Sequence, residues 1–322
     1  MDWSRYGFIV ITPVDGSPVY KPWVDLLKSA DGTLSISEFG VRTHREAGIP
    51  SELCRPGIDP NAFFRHPDAR RKELRQQTGI DPEAFVVGTT AMNQGRKSIP
   101  TMLSAFFRFA AGNANARYIL DMDAQSPAGW DIPNLCEQFG WDASRLIFRA
   151  DLVQRGLVDL RDRYNLMDAH MVISHREGWG LPLVEAMACG VVSIALDWCS
   201  GTEICGDGKG VLVKPLPYKS VSTWGGALDY HVDEDDLVAQ LHRLYDNPDE
   251  RRAIARRGME WARTVSWDAA ADSVQRVIER VMAKRQSIPP AHVPMLAQPP
   301  AAPTIPDGVV PESVVELIEH AR

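Results

Sequence analysis

An α/β fold built on parallel, doubly wound sheet is predicted by three observations. Short apolar or β-branched runs alternate with helix-like segments from Phe8 to Ala195, the pattern of βα units covered on both faces. A turn-rich passage, Arg55-Pro56-Gly57-Ile58-Asp59-Pro60, divides about two strands before it from five or six after it. The 322 residues, 44% hydrophobic and 24% charged, are ordinary globular composition and long enough for two domains.

In chain order, Phe8–Thr12 reads as a strand, Pro22–Ser29 as a helix and Thr33–Ser37 as a strand. Glu38–Ala47 follows as a helix closed by Gly48. Phe85–Thr89 is a β-branched strand and Thr101–Ala111 a helix. Tyr118–Asp121 is a strand, Ile132–Phe139 a helix and Leu146–Phe148 a strand. Leu157–Tyr164 reads as a helix, His170–Ser174 as a strand, Leu183–Ala188 as a helix and Val191–Ala195 as a strand. Residues 234–284 are helical, with breaks near Asn247-Pro248 and Ser266-Trp267. The later set makes a complete doubly wound domain at 61–286 and the first set, 1–60, only part of one. Residues 287–310 read as an extended linker, since eight of the 23 prolines fall between Pro289 and Pro311. Residues 311–322 carry a short helical spacing, Val314, Val315, Leu317 and Ile318.

A net charge of −7 argues against a general nucleic-acid binder, which needs excess Lys and Arg. No apolar run reaches the ~18 residues of a membrane span, and the first residues do not read as a secretory signal. Cys54, Cys136, Cys189, Cys199 and Cys205 are odd in number and form no CxxC pair, so free thiols in the cytoplasm are expected. His170 and His175 stand close in sequence, and a structural role is the default for such histidines.

The strongest local signal follows the strand His170–Ser174. The run Glu177-Gly178-Trp179-Gly180-Leu181-Pro182 leads into a helix with Pro182 at its first position and Gly190 at its end. Glycines let backbone approach a ligand, and free N–H groups at a helix start favour an anion at the carboxyl end of a strand. Glu177 and Glu185 bracket this turn, and two carboxylates can accept from diols at either end of an anion, as a nucleotide sugar presents. A helix with an acidic first turn is the competing explanation. A second loop, Asn93-Gln94-Gly95-Arg96-Lys97, follows Phe85–Thr89 and puts two cations at another carboxyl end of the sheet, where they could neutralise a diphosphate.

These segments resemble the retaining glycosyltransferases of family four, which have the GT-B fold. The likeness lies in Glu177 to Pro182, Glu185-Ala186-Met187-Ala188-Cys189-Gly190 and Asn93 to Lys97. It extends to Ser37-Glu38-Phe39-Gly40, Pro56 to Asp59, Gly201-Thr202-Glu203, Gly210-Val211-Leu212-Val213 and Ser266-Trp267-Asp268, so about 8–285 is covered. The resemblance implies a GT-B-like chain with one complete C-terminal Rossmann-like domain and a partial N-terminal, acceptor-side one. It implies a nucleoside-diphosphate sugar as donor, with Asn93, Arg96, Lys97, Glu177, Gly178, Trp179, Gly180, Leu181 and Glu185 binding it. Lys97 would hold the diphosphate, Glu177 the sugar hydroxyls as the catalytic residue, and Glu185 the ribose. Transfer would keep the anomeric configuration, with no metal and no cofactor. The acceptor would be a glycan, protein or lipid.

The chain departs from the family in two places. No glycine-rich loop precedes Phe8 and no histidine matches the family's, while Met92 stands where an arginine is usual. An abbreviated first domain would leave a strand edge beside Phe8, Ile9, Val10 and Ile11, to be covered by a second copy or a partner chain. Trp179 is expected beside the sugar pocket. Asp121-Met122-Asp123 looks like a metal motif, but in this pattern it ends a parallel strand. Asp233 to Asp236 reads as an acidic helix start, and Arg251, Arg252, Arg256 and Arg257 as a solvated basic face. Two rivals stay open: a donor-binding module without independent catalysis, and a glycoside hydrolase using Glu177 and Glu185 as acid and base. The phosphate-gripping loop counts against the hydrolase.

Overall fold

The computed structural model describes residues 7–222 and 225–286. Phe8–Arg280 forms one compact unit that holds everything discussed below. Residues 1–7 and 281–322 form a second, of which Gly7 and the end of the last helix are described. The linker at 287–310 and the helix at 311–322 lie outside the described residues.

The first sheet is three parallel strands in the order β1 (Ile9–Thr12), β2 (Gly32–Ser35), β3 (Glu52–Leu53). Helices α1 (Lys21–Ser29) and α2 (Glu38–Glu46) make the crossovers. Ser37 starts α2 by accepting from the Gly40 amide at 3.1 Å. Gly40 lies so close to Ser35 that a Cβ there would sit 2.0 Å from its hydroxyl, so glycine is required for α2 to lie on β2.

The second sheet has six parallel strands in the order β6-β5-β4-β7-β8-β9. They are β4 (Phe85–Thr90), β5 (Ala116–Asp121), β6 (Leu146–Phe148), β7 (Ala169–Val172), β8 (Val192–Leu196) and β9 (Val211–Val213). Neighbouring residues of β4 supply opposite faces. Val87 joins Phe106, Phe109 and Tyr118 on one face, and Val86 joins Leu74, Ile119 and Tyr164 on the other. Burial on both faces explains why these strands read as continuous apolar runs. The strand order reverses between β4 and β7, which pair through Val87 with Ala169 and Gly88 with His170. That reversal is the switch point at which doubly wound sheets present their ligand crevice.

The structure adds elements the sequence pattern did not show. Helix α3 (Asp68–Gln77) buries only Leu74 and Arg75, so it carries almost no apolar stripe. Arg75 substitutes for one by donating to the carbonyls of Pro82, Ala84 and Leu166 and to Asp168. Strand β3 and the short helix α9 (Ser200–Cys205) are also additional. So is an antiparallel hairpin, β10 (Pro215–Val221) with β11 (Leu228–Val232). The helix expected over 157–164 is corrected to α6 (Arg149–Gln154) and α7 (Leu160–Asn165). Gly156, at φ +90°, breaks the run, and Asp159 caps α7 by accepting from the Arg161 amide.

The remaining helices are α4 (Ile99–Ala110), α5 (Ile132–Phe139), α8 (Leu181–Ala188), α10 (Glu234–Asp246), α11 (Pro248–Ala262) and α12 (Trp267–Gln286). Asp233 caps α10, accepting from the amides of Asp235 and Asp236, as the acidic run leads one to expect. The chain returns from the second sheet to the first: the Ile58 amide donates to the Val265 carbonyl at 3.1 Å, and Gly57 packs on the Trp267 backbone. All five cysteines are free and buried. Among the described residues no helix is long and apolar enough to cross a membrane.

Candidate active site

Two loops leave the carboxyl ends of β4 and β7 side by side. They are joined by the His175 amide, which donates to the Arg96 carbonyl at 2.9 Å. Glu177 sits in the second loop and receives the Lys97 ammonium, Arg96 at 3.3 Å and the Ser174 hydroxyl at 3.0 Å on one carboxylate oxygen. Burial opposes charge on Glu177, but Lys97, Arg96 and the Ser174 hydroxyl outweigh it and hold the carboxyl below the usual glutamate range. For Lys97 burial wins over Glu177, with Arg96 adding repulsion, and its proton affinity falls below an ordinary lysine's. Charge is thus concentrated where little solvent reaches, which suits groups that must meet another charge.

Gly178, Trp179 and Gly180 are buried. Gly180 precedes α8 at φ +101°, a conformation that favours glycine. Pro182 is the second residue of α8 rather than the first, since Leu181 opens the helix. Ser200 fastens the loop from below, donating to the carbonyls of Glu177 at 2.9 Å and Trp179 at 2.7 Å. The Trp179 side chain packs among Ile58, Leu183, Met187 and Ala262. That is apolar core.

Glu185 lies one turn into α8 and accepts from the Tyr164 hydroxyl at 2.7 Å. Burial raises its proton affinity, Tyr164 partly offsets that, and Asp121 adds to it. Asn93 is buried and its amide is committed: it donates to the carbonyls of Asp123 at 3.1 Å and Trp130 at 2.7 Å and accepts from the Trp130 amide at 2.9 Å. It pins the loop after β5. Asp121 pairs with Arg163 at 3.0 Å, and Asp123 pairs with Arg149. His170 is fully buried, accepts from the Thr90 amide at 3.0 Å, and is held neutral by burial, its pKa about 3. Met92 is exposed.

The sequence reading missed two contributors. The loop after β1 reaches the β7 loop: Asp15 lies against Gly178, where a Cβ would come within 2.7 Å of the Asp15 carboxylate, and Cys199 donates to the Asp15 carbonyl at 3.0 Å. Asp15 also adds a favourable charge at Lys97. The turn Pro13-Val14-Asp15-Gly16 follows a strand, so the same carboxyl-end rule that marked the other loops could have found it. The second is the hairpin. Arg176 pairs with Asp229, the Tyr230 amide donates to the His175 carbonyl at 3.3 Å, and the Leu228 amide donates to the Ser17 carbonyl at 2.9 Å. The hairpin therefore ties the β7 loop to the loop after β1. Glu203 links the sheets on another side, accepting from the Glu38 amide at 2.8 Å and Arg55 at 2.7 Å.

The family model described as "Glycosyl transferases group 1" matches residues 154–261, a span that contains Glu177, the whole of α8 and Glu185. The chain is 32% identical over 127 residues to the serotype-specific mannosyltransferase WbdA of Escherichia coli, covering 39% of this chain and 15% of that protein. A D-inositol 3-phosphate glycosyltransferase of Segniliparus rotundus is 26% identical over 243 residues, 74% of this chain and 49% of that protein. The chain thus spans half or less of these relatives. Among solved structures, Anabaena HepE in complex with UDP-glucose superposes with a TM-score of 0.68 at 19% identity, over 87% of this chain and 73% of that one. The fold is GT-B-like.

Proposed function

We propose that the switch point between β4 and β7 binds a nucleoside-diphosphate sugar and that the chain transfers the sugar with retention of configuration. The observation that carries this reading is the meeting of Lys97 and Arg96 with Glu177 beside the start of α8. A diphosphate would take over Lys97 and Arg96, aided by the amides of Gly178 to Leu181. Glu177 would accept from the sugar hydroxyls and Glu185 from the ribose diol. The bond from the anomeric carbon to the diphosphate would break as the acceptor oxygen bonds to the same face, and the acceptor proton would pass to the leaving phosphate oxygen. Asp15 would meet the sugar or acceptor from the first domain. This chemistry calls on no metal and no cofactor. The acceptor class is a glycan, protein or lipid, and five free thiols suit the cytoplasm.

A second reading has the chain bind donor but rely on a further chain segment or partner for transfer. The three-stranded first sheet supports it, because among the described residues β1 pairs with β2 alone. The test is to incubate the chain with each nucleotide sugar and candidate acceptors and follow the anomeric proton by NMR. Release or transfer of sugar with the configuration kept supports transfer. Inversion refutes retention, and binding without turnover favours the second reading.

A further inference from the structure

A groove of about 580 Å³ opens at the amino ends of the second sheet, across the domain from the candidate active site. The six residues of β4 separate the two by ~20 Å. One wall is a face of α3 carrying Arg71, Lys72 and Arg75, and the other a face of α11 carrying Arg251, Arg252 and Arg256. Arg65 closes one end, and Phe85 and Tyr245 lie in the floor. The groove holds seven cations against three acids in a chain whose net charge is −7.

The three acids are all taken. Asp68 pairs with Arg65 at 2.7 Å, Glu83 with Lys72 at 2.8 Å, and Asp168 with Arg75 at 2.8 Å. Arg71 gives two of its nitrogens to the carbonyls of Asn165 and Met167, and Arg251 gives one to Leu244 while lying 5.2 Å from the Phe85 ring centre. Arg71 also lies 3.9 Å from the Asp168 carboxylate. The facing walls sense each other. Burial lowers the Arg71 pKa to about 10 and also lowers that of Arg251; Asp168 opposes this at both, while Arg65 and Arg75 add to it at Arg71, and Arg252 and Arg75 at Arg251. Asp168 offsets part of the charge on both walls and Arg252 pairs with Asp249, which still leaves the groove with an excess of cations. The basic face read from the sequence as solvated is exposed at Arg252, Arg256 and Arg257, and Arg251, Arg252 and Arg256 also line the groove. Only Arg257 turns elsewhere, donating to the Gly208 carbonyl at 2.8 Å.

We infer that the groove between α3 and α11 binds a small polyanion of the diphosphate or triphosphate class, at a site separate from the donor. Planar guanidinium groups on both walls match a chain of phosphates. Tyr245, partly exposed beside Phe85, offers a surface on which a nucleotide base would stack.

The test is calorimetric titration of inorganic tripolyphosphate, and separately of ATP, into the full chain at low salt. One binding event should survive Lys97→Met and weaken at least tenfold in Arg251→Ala and in Arg256→Glu. Arg256 is exposed, so its replacement leaves the packing intact. Tighter ATP than tripolyphosphate identifies a nucleotide as the natural source, and equal affinities identify the phosphate chain alone. Absence of any event, or an event lost in Lys97→Met and unchanged in both arginine variants, overturns the proposal. The Lys97 arm keeps this outcome distinct from failure of the donor site.

Discussion

Replacing Glu185 by Gln should stabilise the protein at neutral pH while weakening its hold on nucleotide. Burial raises the proton affinity of Glu185, so the ionised carboxylate is less favourable in the folded chain than in the unfolded one. The stability this group contributes is complete below the ordinary glutamate pKa and is lost as pH rises through its higher folded value. Glutamine imitates the protonated form and still accepts from the Tyr164 hydroxyl through its amide oxygen. The melting temperature of Glu185→Gln should therefore exceed wild type at pH 7, and the gain should vanish in acid below the glutamate range. A ribose diol, by contrast, loses a charged acceptor. Hydrogen bonds to a charged group are worth about 1.5–3 kcal/mol, so free nucleotide should bind roughly ten- to hundredfold more weakly. Calorimetry and melting curves across pH read both effects. A variant that melts lower at pH 7, or binds nucleotide as wild type does, would refute this account of Glu185.

Glu177→Gln should do the reverse. Its folded pKa is depressed, so its stability is present above the ordinary glutamate value and lost as pH falls through the folded value. With Lys97 left facing an amide, the loss should be about 2–3 kcal/mol at pH 7, less than the ~3–5 of a fully broken buried pair, and a melting curve measures it. Gly178→Ala would drive a Cβ into Asp15 and Pro13, and should slow turnover while free nucleotide still binds; Asp15→Ala should do likewise, and a loss of nucleotide affinity in either would remove Asp15 from the sugar end. Arg55→Ala breaks the tie to Glu203 and Glu38 and should lower stability by ~1–3 kcal/mol in a denaturant titration. The edge of β1, unpaired among the described residues, with Ile11, Trp23 and Leu26 all about half exposed, should make the chain self-associate at micromolar concentration, which light scattering would show or deny.

Legibility followed the source of each element's stability. Strands such as β4 and β6 are covered on both faces, and their apolar runs announce them. α3 could not be read because its anchor is Arg75 and its carbonyl partners, not an apolar stripe. The hairpin hides for a related reason: Pro215 and Pro217 argue against a strand there, although Gly225-Gly226 marks the turn at its tip. In the site, the Gly178–Leu181 turn and the Lys97 loop were visible because glycine and charge stand at strand ends. Their pairing through Glu177 depends on β4 and β7 lying side by side, which strand order alone decides. Asp15 comes from the other sheet, 162 positions before Glu177, and no local spacing joins the two.

The most direct measurement is a thermal-shift panel of nucleotide sugars with chelator present, on wild type and on Lys97→Met. A donor at 100 times its dissociation constant adds about 2.7 kcal/mol, or roughly 5–10 °C for a domain of this size. The account predicts that at least one nucleotide sugar gives such a shift in wild type, that chelator leaves it unchanged, and that Lys97→Met abolishes it. A shift that disappears with chelator, or persists undiminished in Lys97→Met, would contradict a donor held at the β4–β7 switch point by this chain's own charges.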